Sequence, residues 1–386
     1  MNLLREELFE KLSFVSCNLM LRLNKIQLTQ FKNYGFSTFN FDERVIGICG
    51  LNGRGKTNLL DAIYYLCFTK SYFSKAENFN VEFGSEGFRI EGNLSQSAIE
   101  NLGVQDYKFV ATLKPVNKKE VFLNDIPYEK FSHHLGKFPC VMIAPDDVEI
   151  VTGTNEERRK FIDTVLSQTD AVYLQQLIVY NKVLQQRNSL LKSFAETGNN
   201  NLSLLEVLDL QLVSPGNFIF EKRKEFTERL VPLAKEFYGQ ISDNKEEIEI
   251  KYESQLHTGN FGELLEKSRS RDLYLQRTSM GIHKDDLSAT LNVRPFKNIA
   301  SQGQRKSLLF SLKLAEYEIL KQNKGFAPFL LLDDVFEKLD EVRMQNLLKW
   351  VCVHNQGQVF ITDTHRDRLT STLSAIGITP YILELP

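Results

Sequence analysis

The sequence predicts an α/β protein: a head of mixed sheet and helices with an antiparallel β subdomain, interrupted by an inserted helical arm. Three observations predict it. An apolar, β-branched burst at residues 45–49 ends at Gly50 and gives way to a helical rhythm at Leu59, Leu60, Ala62, Ile63 and Leu66, the order strand, glycine loop, helix. A second burst, Phe329 to Leu332, lies between helical runs near the C-terminus, and such alternation favours a parallel sheet covered by helices. The long stretch between the two bursts includes a helical run from about Glu156 towards Tyr238, which places an arm inside the head.

Residues 1–19 read as an N-terminal extension, with Met20 an alternative start. Leu21, Leu23, Ile26 and Leu28 suggest a strand, and residues 36–41 alternate as its antiparallel neighbour. After the glycine loop and its helix, Phe88 to Val141 reads as short alternating segments separated by turns such as Asn124-Asp125, an antiparallel sheet. The first part of the head is thereby 20–164. The arm, 165–275, opens with a long helix carrying Leu174, Leu177, Leu184 and Leu191, for which Asp170 is the N-cap. Gly198 to Asn201 makes a turn, and a second helical stretch runs from about Leu204 towards Tyr238, where Ser214-Pro215-Gly216 is expected to kink or interrupt it. The head resumes over 276–386 with a helix at Leu308 to Leu320, the strand Phe329 to Leu332, a helix near Glu341 to Cys352 and a strand at Val359 to Thr362.

Composition removes several classes of function. The 47 Lys and Arg nearly cancel the 49 Asp and Glu, so a nucleic-acid partner must be held by a local patch and not by the field of the whole molecule. Five scattered cysteines without a Cys-x-x-Cys pair fit neither a disulfide framework nor a zinc site, and a cytoplasmic setting is expected. No apolar run approaches the length needed to span a bilayer, so no membrane partner is expected.

Three motifs carry chemistry. Gly50-Leu51-Asn52-Gly53-Arg54-Gly55-Lys56-Thr57 matches Gly-x-x-x-x-Gly-Lys-Thr in the strand–helix context that the motif needs. Its glycines let backbone N–H groups approach phosphates at a helix N-terminus, with Lys56 bridging the β- and γ-phosphates and Thr57 holding Mg²⁺. Such a loop needs a second acid at a neighbouring strand end. Asp333 supplies it, and Asp334, one residue on, is placed to position the attacking water. The third motif, Ser301-Gln302-Gly303-Gln304-Arg305, puts a hydroxyl and a glycine amide at the start of a helix. Alone it would be a simple N-cap; beside the other two it reads as a further phosphate contact.

Taken in order, these motifs resemble the RecF family of SMC-like DNA repair ATPases, whose heads are of the ATP-binding-cassette type. The likeness runs along nearly the whole chain from Met20, through Phe31-Lys32-Asn33-Tyr34, the loop continued by Asn58, Ala144-Pro145-Asp146-Asp147, Arg158-Arg159-Lys160-Phe161-Ile162-Asp163, Gln186-Arg187-Asn188 and Gly281-Ile282-His283-Lys284-Asp285-Asp286. Asn155, Ile282 and Lys284 depart from the residues usual in the family, and the Ala144 to Asp147 stretch lacks a glutamine. The resemblance implies an ATP-dependent homodimer, each ATP lying between residues Gly50 to Asn58 of one subunit and Ser301, Gly303 and Gln304 of the other, with slow, DNA-stimulated hydrolysis as a switch. It further implies a grip on double-stranded DNA near gaps or junctions, RecR and RecO as partners in loading RecA, and a bacterial, nucleoid-associated setting. Arg158, Arg159, Lys160 and Lys284 are the DNA-contact candidates, with Lys267, Arg269 and Arg271 behind them, each of which on its own reads more readily as a solvated surface charge or an internal salt bridge. A transporter cassette, another SMC-like chromosome organiser and a P-loop kinase are the alternatives. The first would need the serine motif much closer to the phosphate loop, the second a longer arm, and the third an acceptor site of its own.

Overall fold

The computed structural model describes residues 19–98, 103–198, 201–243, 246–336 and 341–386. The expected extension over 1–19 lies outside them, apart from Leu19. The chain divides into two compact units, one of Met1–Asp147, Phe237–Asn244 and Gln302–Pro386, the other of Val148–Glu236 and Lys245–Ser301.

In the first unit, β1 (Leu19–Phe31) and β2 (Tyr34–Asn40) form a hairpin that continues through β4 (Phe88–Ala98), β5 (Val104–Lys114), β6 (Lys118–Leu123) and β7 (Ile126–Pro127), every neighbour antiparallel. The three-residue step from Leu23 to Ile26, which breaks strict alternation, is absorbed by a register shift between Leu23 and Lys25, so both residues stay buried.

The second sheet is wholly parallel, in the order β14 (Tyr381–Glu384), β3 (Val45–Cys49), β13 (Val359–Asp363), β12 (Phe329–Leu332), β8 (Cys140–Ile143). Its three inner strands and the edge strand β8 are buried throughout, which is why they read as continuous apolar runs. This corrects the placement of Cys140 and Val141 in the antiparallel sheet: their four-residue run with no polar alternation is a fully buried strand that pairs in parallel with β12. N- and C-terminal parts of the chain thus interleave, β3 lying beside β13. Helix Lys56–Phe68 presents Leu59, Leu60, Ile63 and Leu66 to the shared core.

His134 seals the end of that helix. Its ring bonds the Leu66 carbonyl at 2.8 Å through Nε2, and Tyr128 Oη lies 3.1 Å from Nδ1. Burial pushes the imidazole down to about 4. A folded-state value below the unfolded one means that the unfolded chain binds the proton first, so stability is complete above about pH 6.5 and falls towards pH 4, by about 3 kcal/mol in all. Denaturation midpoints of the wild type and H134Q, compared across that range, should converge as the pH drops. A constant difference would exclude the imidazole as the cause.

The second unit holds the long helix Ala171–Thr197, whose N-cap Asp170 accepts from the Val172 and Tyr173 amides as expected, and which ends at a left-handed Gly198. Its partner, helix Leu202–Ile241, runs unbroken through Pro215 and Pro232, against the expected interruption. Tertiary packing outweighs the lost hydrogen bond: Gly216 lies under the Phe261 ring of helix Phe261–Leu275, so close that a β-carbon would sit 2.4 Å from it. This unit also contains a three-stranded antiparallel sheet, β9 (Ile248–Glu253), β10 (Asp286–Leu291) and β11 (Arg294–Pro295), which the sequence reading missed. Ile248, Ile250 and Tyr252 alternate with Glu249, Lys251 and Glu253, a signal that was present. Unit borders consequently fall at Asp147 and Gln302 and not at 164 and 275. Buried ion pairs tie helix Asn155–Thr169 and β10 to the arm helices, as described below.

Candidate nucleotide site

The phosphate loop leaves the end of β3, and helix Lys56–Phe68 starts from Gly55 in the left-handed region at φ 99°. Only glycine suits that position twice over: a β-carbon there would lie 2.6 Å from Asn33 Nδ2 and 2.8 Å from Tyr34 Oη. Tyr34 Oη donates to the Gly55 carbonyl at 3.0 Å, and Asn58 Nδ2 to Asn33 Oδ1 at 2.7 Å, so the β1–β2 turn braces the loop. Phe31-Lys32-Asn33-Tyr34 thereby has a local structural reason. Lys56 is buried, its ammonium donating to the Gly50 and Leu51 carbonyls at 2.8 and 3.1 Å, while Leu51, Asn52, Gly53 and Arg54 stand exposed.

Parallel pairing of β12 beside β13 and β8 brings the distant acids to the same end of the sheet. Thr57 Oγ1 lies 2.9 and 3.1 Å from the two Asp333 carboxylate oxygens. Asp333 is buried, and burial holds its carboxyl above the usual carboxylate value, opposed by hydrogen bonds from Thr362 and Thr57. Thr362, on β13, donates to Asp333 Oδ1 at 2.7 Å and accepts from the Asp334 amide at 2.9 Å. Asp334 itself lies at φ 45°. A hydroxyl and a carboxylate facing each other are hard oxygen donors that suit Mg²⁺, which keeps most of its waters. Among the described residues no group of three or more His, Cys, Asp or Glu competes as a metal site.

Ala144, Pro145, Lys306, Asp334 and Val335 line a small cleft beside the acid pair. Asp147, in the stretch that lacks a glutamine, accepts instead from the Ala144 amide and from Tyr72 Oη. Ser301 is exposed immediately before helix Gln302–Lys324, and Gly303 and Gln304 are partly exposed in that helix's first turn. The Gly303 carbonyl accepts from Ser307 Oγ, to which Arg343 donates. His365 precedes helix Arg366–Ala375, its amide bonded to Asp363, whose carboxylate is paired with Arg368.

Of the cations expected at DNA, Arg158 is corrected: it is buried, clamped on Asp286 at 2.5 and 3.1 Å and on Asn155 and the Gly153 carbonyl. Arg159 donates to the Asp285 carbonyl. Lys160 is shared between Glu156 and Glu157, Lys267 pairs with Glu263, and Arg269 with Glu206 and Asp209. Lys284 is exposed, and its ammonium is held below the ordinary lysine value by partial burial and then by Arg277, Arg159 and Arg271. These arginines and Lys284 form a cluster of positive charge, of which Arg277 escaped the sequence reading because it stands in no motif. The Gln186-Arg187-Asn188 motif is internal: Arg187 is fully buried against Asp209, Asp272 and Thr278, and Asn188 accepts from Thr278.

A parallel sheet with a phosphate loop after β3 and paired acids after β12 defines the class, a nucleotide-binding head of the SMC type. The model of the RecF/RecN/SMC N terminal domain matches residues 22–381. The DNA replication and repair protein RecF of Flavobacterium johnsoniae is 41% identical over 95% of this chain and 100% of its own, and that of Cytophaga hutchinsonii 40% identical over 90% of each. The recombination mediator protein RecF of the RecFOR pathway, solved with ATP, superposes with a TM-score of 0.81 at 32% identity, covering 90% of this chain and 93% of its own. The Smc head domain of Pyrococcus furiosus, 15% identical with a TM-score of 0.54 over 92% of both chains, shares the fold. The chain belongs to the RecF family.

Proposed function

We propose that this chain is an ATP-driven switch of DNA replication and repair: two copies close on two ATP molecules, the closed pair holds double-stranded DNA, and slow hydrolysis releases it. The observation that carries the reading is Thr57 Oγ1 at 2.9 Å from Asp333, two residues at opposite ends of the sequence. Magnesium held by Thr57 and Asp333 would neutralise charge on the β- and γ-phosphates. Lys56 would release the Gly50 and Leu51 carbonyls for the same phosphates, and Gly50 to Asn58 would wrap them with backbone amides. Ser301, Gly303 and Gln304 of a second copy would complete the γ-phosphate contacts, so that nucleotide favours the dimer by mass action. Gaps and junctions are the proposed DNA targets, RecO and RecR the proposed partners in loading RecA.

DNA contact is assigned to the cluster of Arg159, Arg271, Arg277 and Lys284, which would meet phosphates without reading sequence and lose its grip steeply as salt rises. The test of the whole reading is molar mass in solution with a non-hydrolysable ATP analogue and magnesium, with and without duplex. A doubling supports the switch, and a monomer at saturation with duplex present refutes it. Asp334, placed to orient water, gives a separate expectation. D334N should bind ATP as the wild type does but turn over at least about tenfold more slowly, leaving the dimer trapped. Single-turnover hydrolysis checks this, and an undiminished rate removes Asp334 from the chemistry.

A further inference from the structure

Thr362 belongs to no nucleotide motif, is fully buried at the end of β13, and yet touches both acids. Its hydroxyl has one proton, and the geometry commits that proton to Asp333 Oδ1 at 2.7 Å. One lone pair of the same oxygen takes the Asp334 N–H at 2.9 Å. The Asp334 amide is thus satisfied by a side chain from the adjacent strand and not by the parallel ladder, which reaches only to Leu332. At that point the backbone turns into the left-handed region, φ 45°, which is uncommon for a residue with a β-carbon and persists only where surroundings impose it. On the other side, Thr57 lies 2.9 Å from Asp333 Oδ2 and 3.1 Å from Oδ1. With Oδ1 engaged by Thr362, the carboxylate plane is set so that Oδ2 faces Thr57.

We infer that Thr362 is a positioning residue: through one hydroxyl it fixes both the rotamer of Asp333 towards Thr57 and the turned backbone that aims Asp334. It acts through the two aspartates it contacts. The inference rests on the proposed ATPase reading and deepens it, because it couples the cation-holding acid to the water-positioning acid across neighbouring strands. An isosteric change that keeps volume and removes the hydroxyl should therefore weaken two properties together, cation binding and turnover, while leaving the phosphate loop intact.

Thr362→Val and Thr362→Ser separate the hydroxyl from the packing. For Thr362→Val, affinity for a fluorescent ATP analogue without divalent cation should match the wild type. Mn²⁺ binding to the nucleotide complex, followed by electron paramagnetic resonance, should weaken about tenfold, and the single-turnover rate should fall by at least about the same factor, the size expected for one buried hydroxyl with two partners. Hydrogen exchange of the 331–336 segment should lose the protection of the Asp334 amide. Thr362→Ser should restore all three. Should the valine protein fail to fold, Thr362→Ala carries the same comparison against serine. A valine or alanine protein with wild-type Mn²⁺ affinity and rate overturns the inference, as does a serine protein as impaired as valine, which would assign the effect to packing. A wild type that binds no ATP would instead overturn the ATPase reading itself, so the two failures are distinct.

Discussion

K56A is expected to lose ATP binding by roughly a hundredfold or more, and with it the nucleotide-dependent dimer. Lys56 is the cation aimed into the phosphate loop, and a charge-assisted contact of this kind contributes about 3 kcal/mol. The same ammonium donates to the Gly50 and Leu51 carbonyls, so its loss leaves two loop carbonyls to water at the mouth of the site. That costs about 1 kcal/mol of stability. Titration with a fluorescent ATP analogue, sedimentation with ATP and a thermal melt give the three readouts. A folded K56A that still forms an ATP-dependent dimer would remove the phosphate loop from the proposed clasp.

R223M should destabilise the second unit by about 3–5 kcal/mol, the usual cost of removing one member of a buried ion pair. Arg223 is almost wholly buried and faces both Asp163, at 2.9 to 3.1 Å, and Asp285, at 2.8 Å, while also donating to the Ile282 carbonyl at 2.7 Å. Tyr252 adds a bond to Asp285 at 2.6 Å. Without the guanidinium, two carboxylates remain close together, one of them fully buried, with no cation between them, and burial already raises the Asp285 carboxyl. Chemical denaturation of R223M should show the loss. Adding D163N and D285N to it should recover part of the stability, because the uncompensated charges go with them. A methionine variant as stable as the wild type would show the network to be ornamental.

This network also shows what motif reading can misjudge. Arg158, Asp163, Asp285 and Asp286 all lie in segments that the family resemblance singled out, and a double arginine near the surface of an ATPase invites assignment to DNA. Three dimensions give a different reason for Arg158 and Asp286: they neutralise each other, and the pair leaves the Arg158 guanidinium buried. Partnership across more than a hundred intervening residues leaves no periodic trace in a single sequence. The grouping of Arg159, Arg271 and Arg277 around Lys284 left no trace for the same cause, although three of the four had been named singly: its members come from helix Asn155–Thr169, the arm and the loop before β10.

Local chemistry alone was enough to place the phosphate loop, the strands β3, β12 and β13 and the cap at Asp170. Each depends on residues within one turn or one strand: positive φ demands glycine at Gly55, apolar runs without polar alternation demand a strand covered on both faces, and an aspartate before a helix satisfies its first amides. Other features could be decided only by folding. Cys140 to Ile143 joins the parallel sheet, helix Leu202–Ile241 passes through Pro215 unbroken, and Thr362 stands between two acids, because the competing energies there belong to contacts between elements, and those exist only once the chain has brought its ends together.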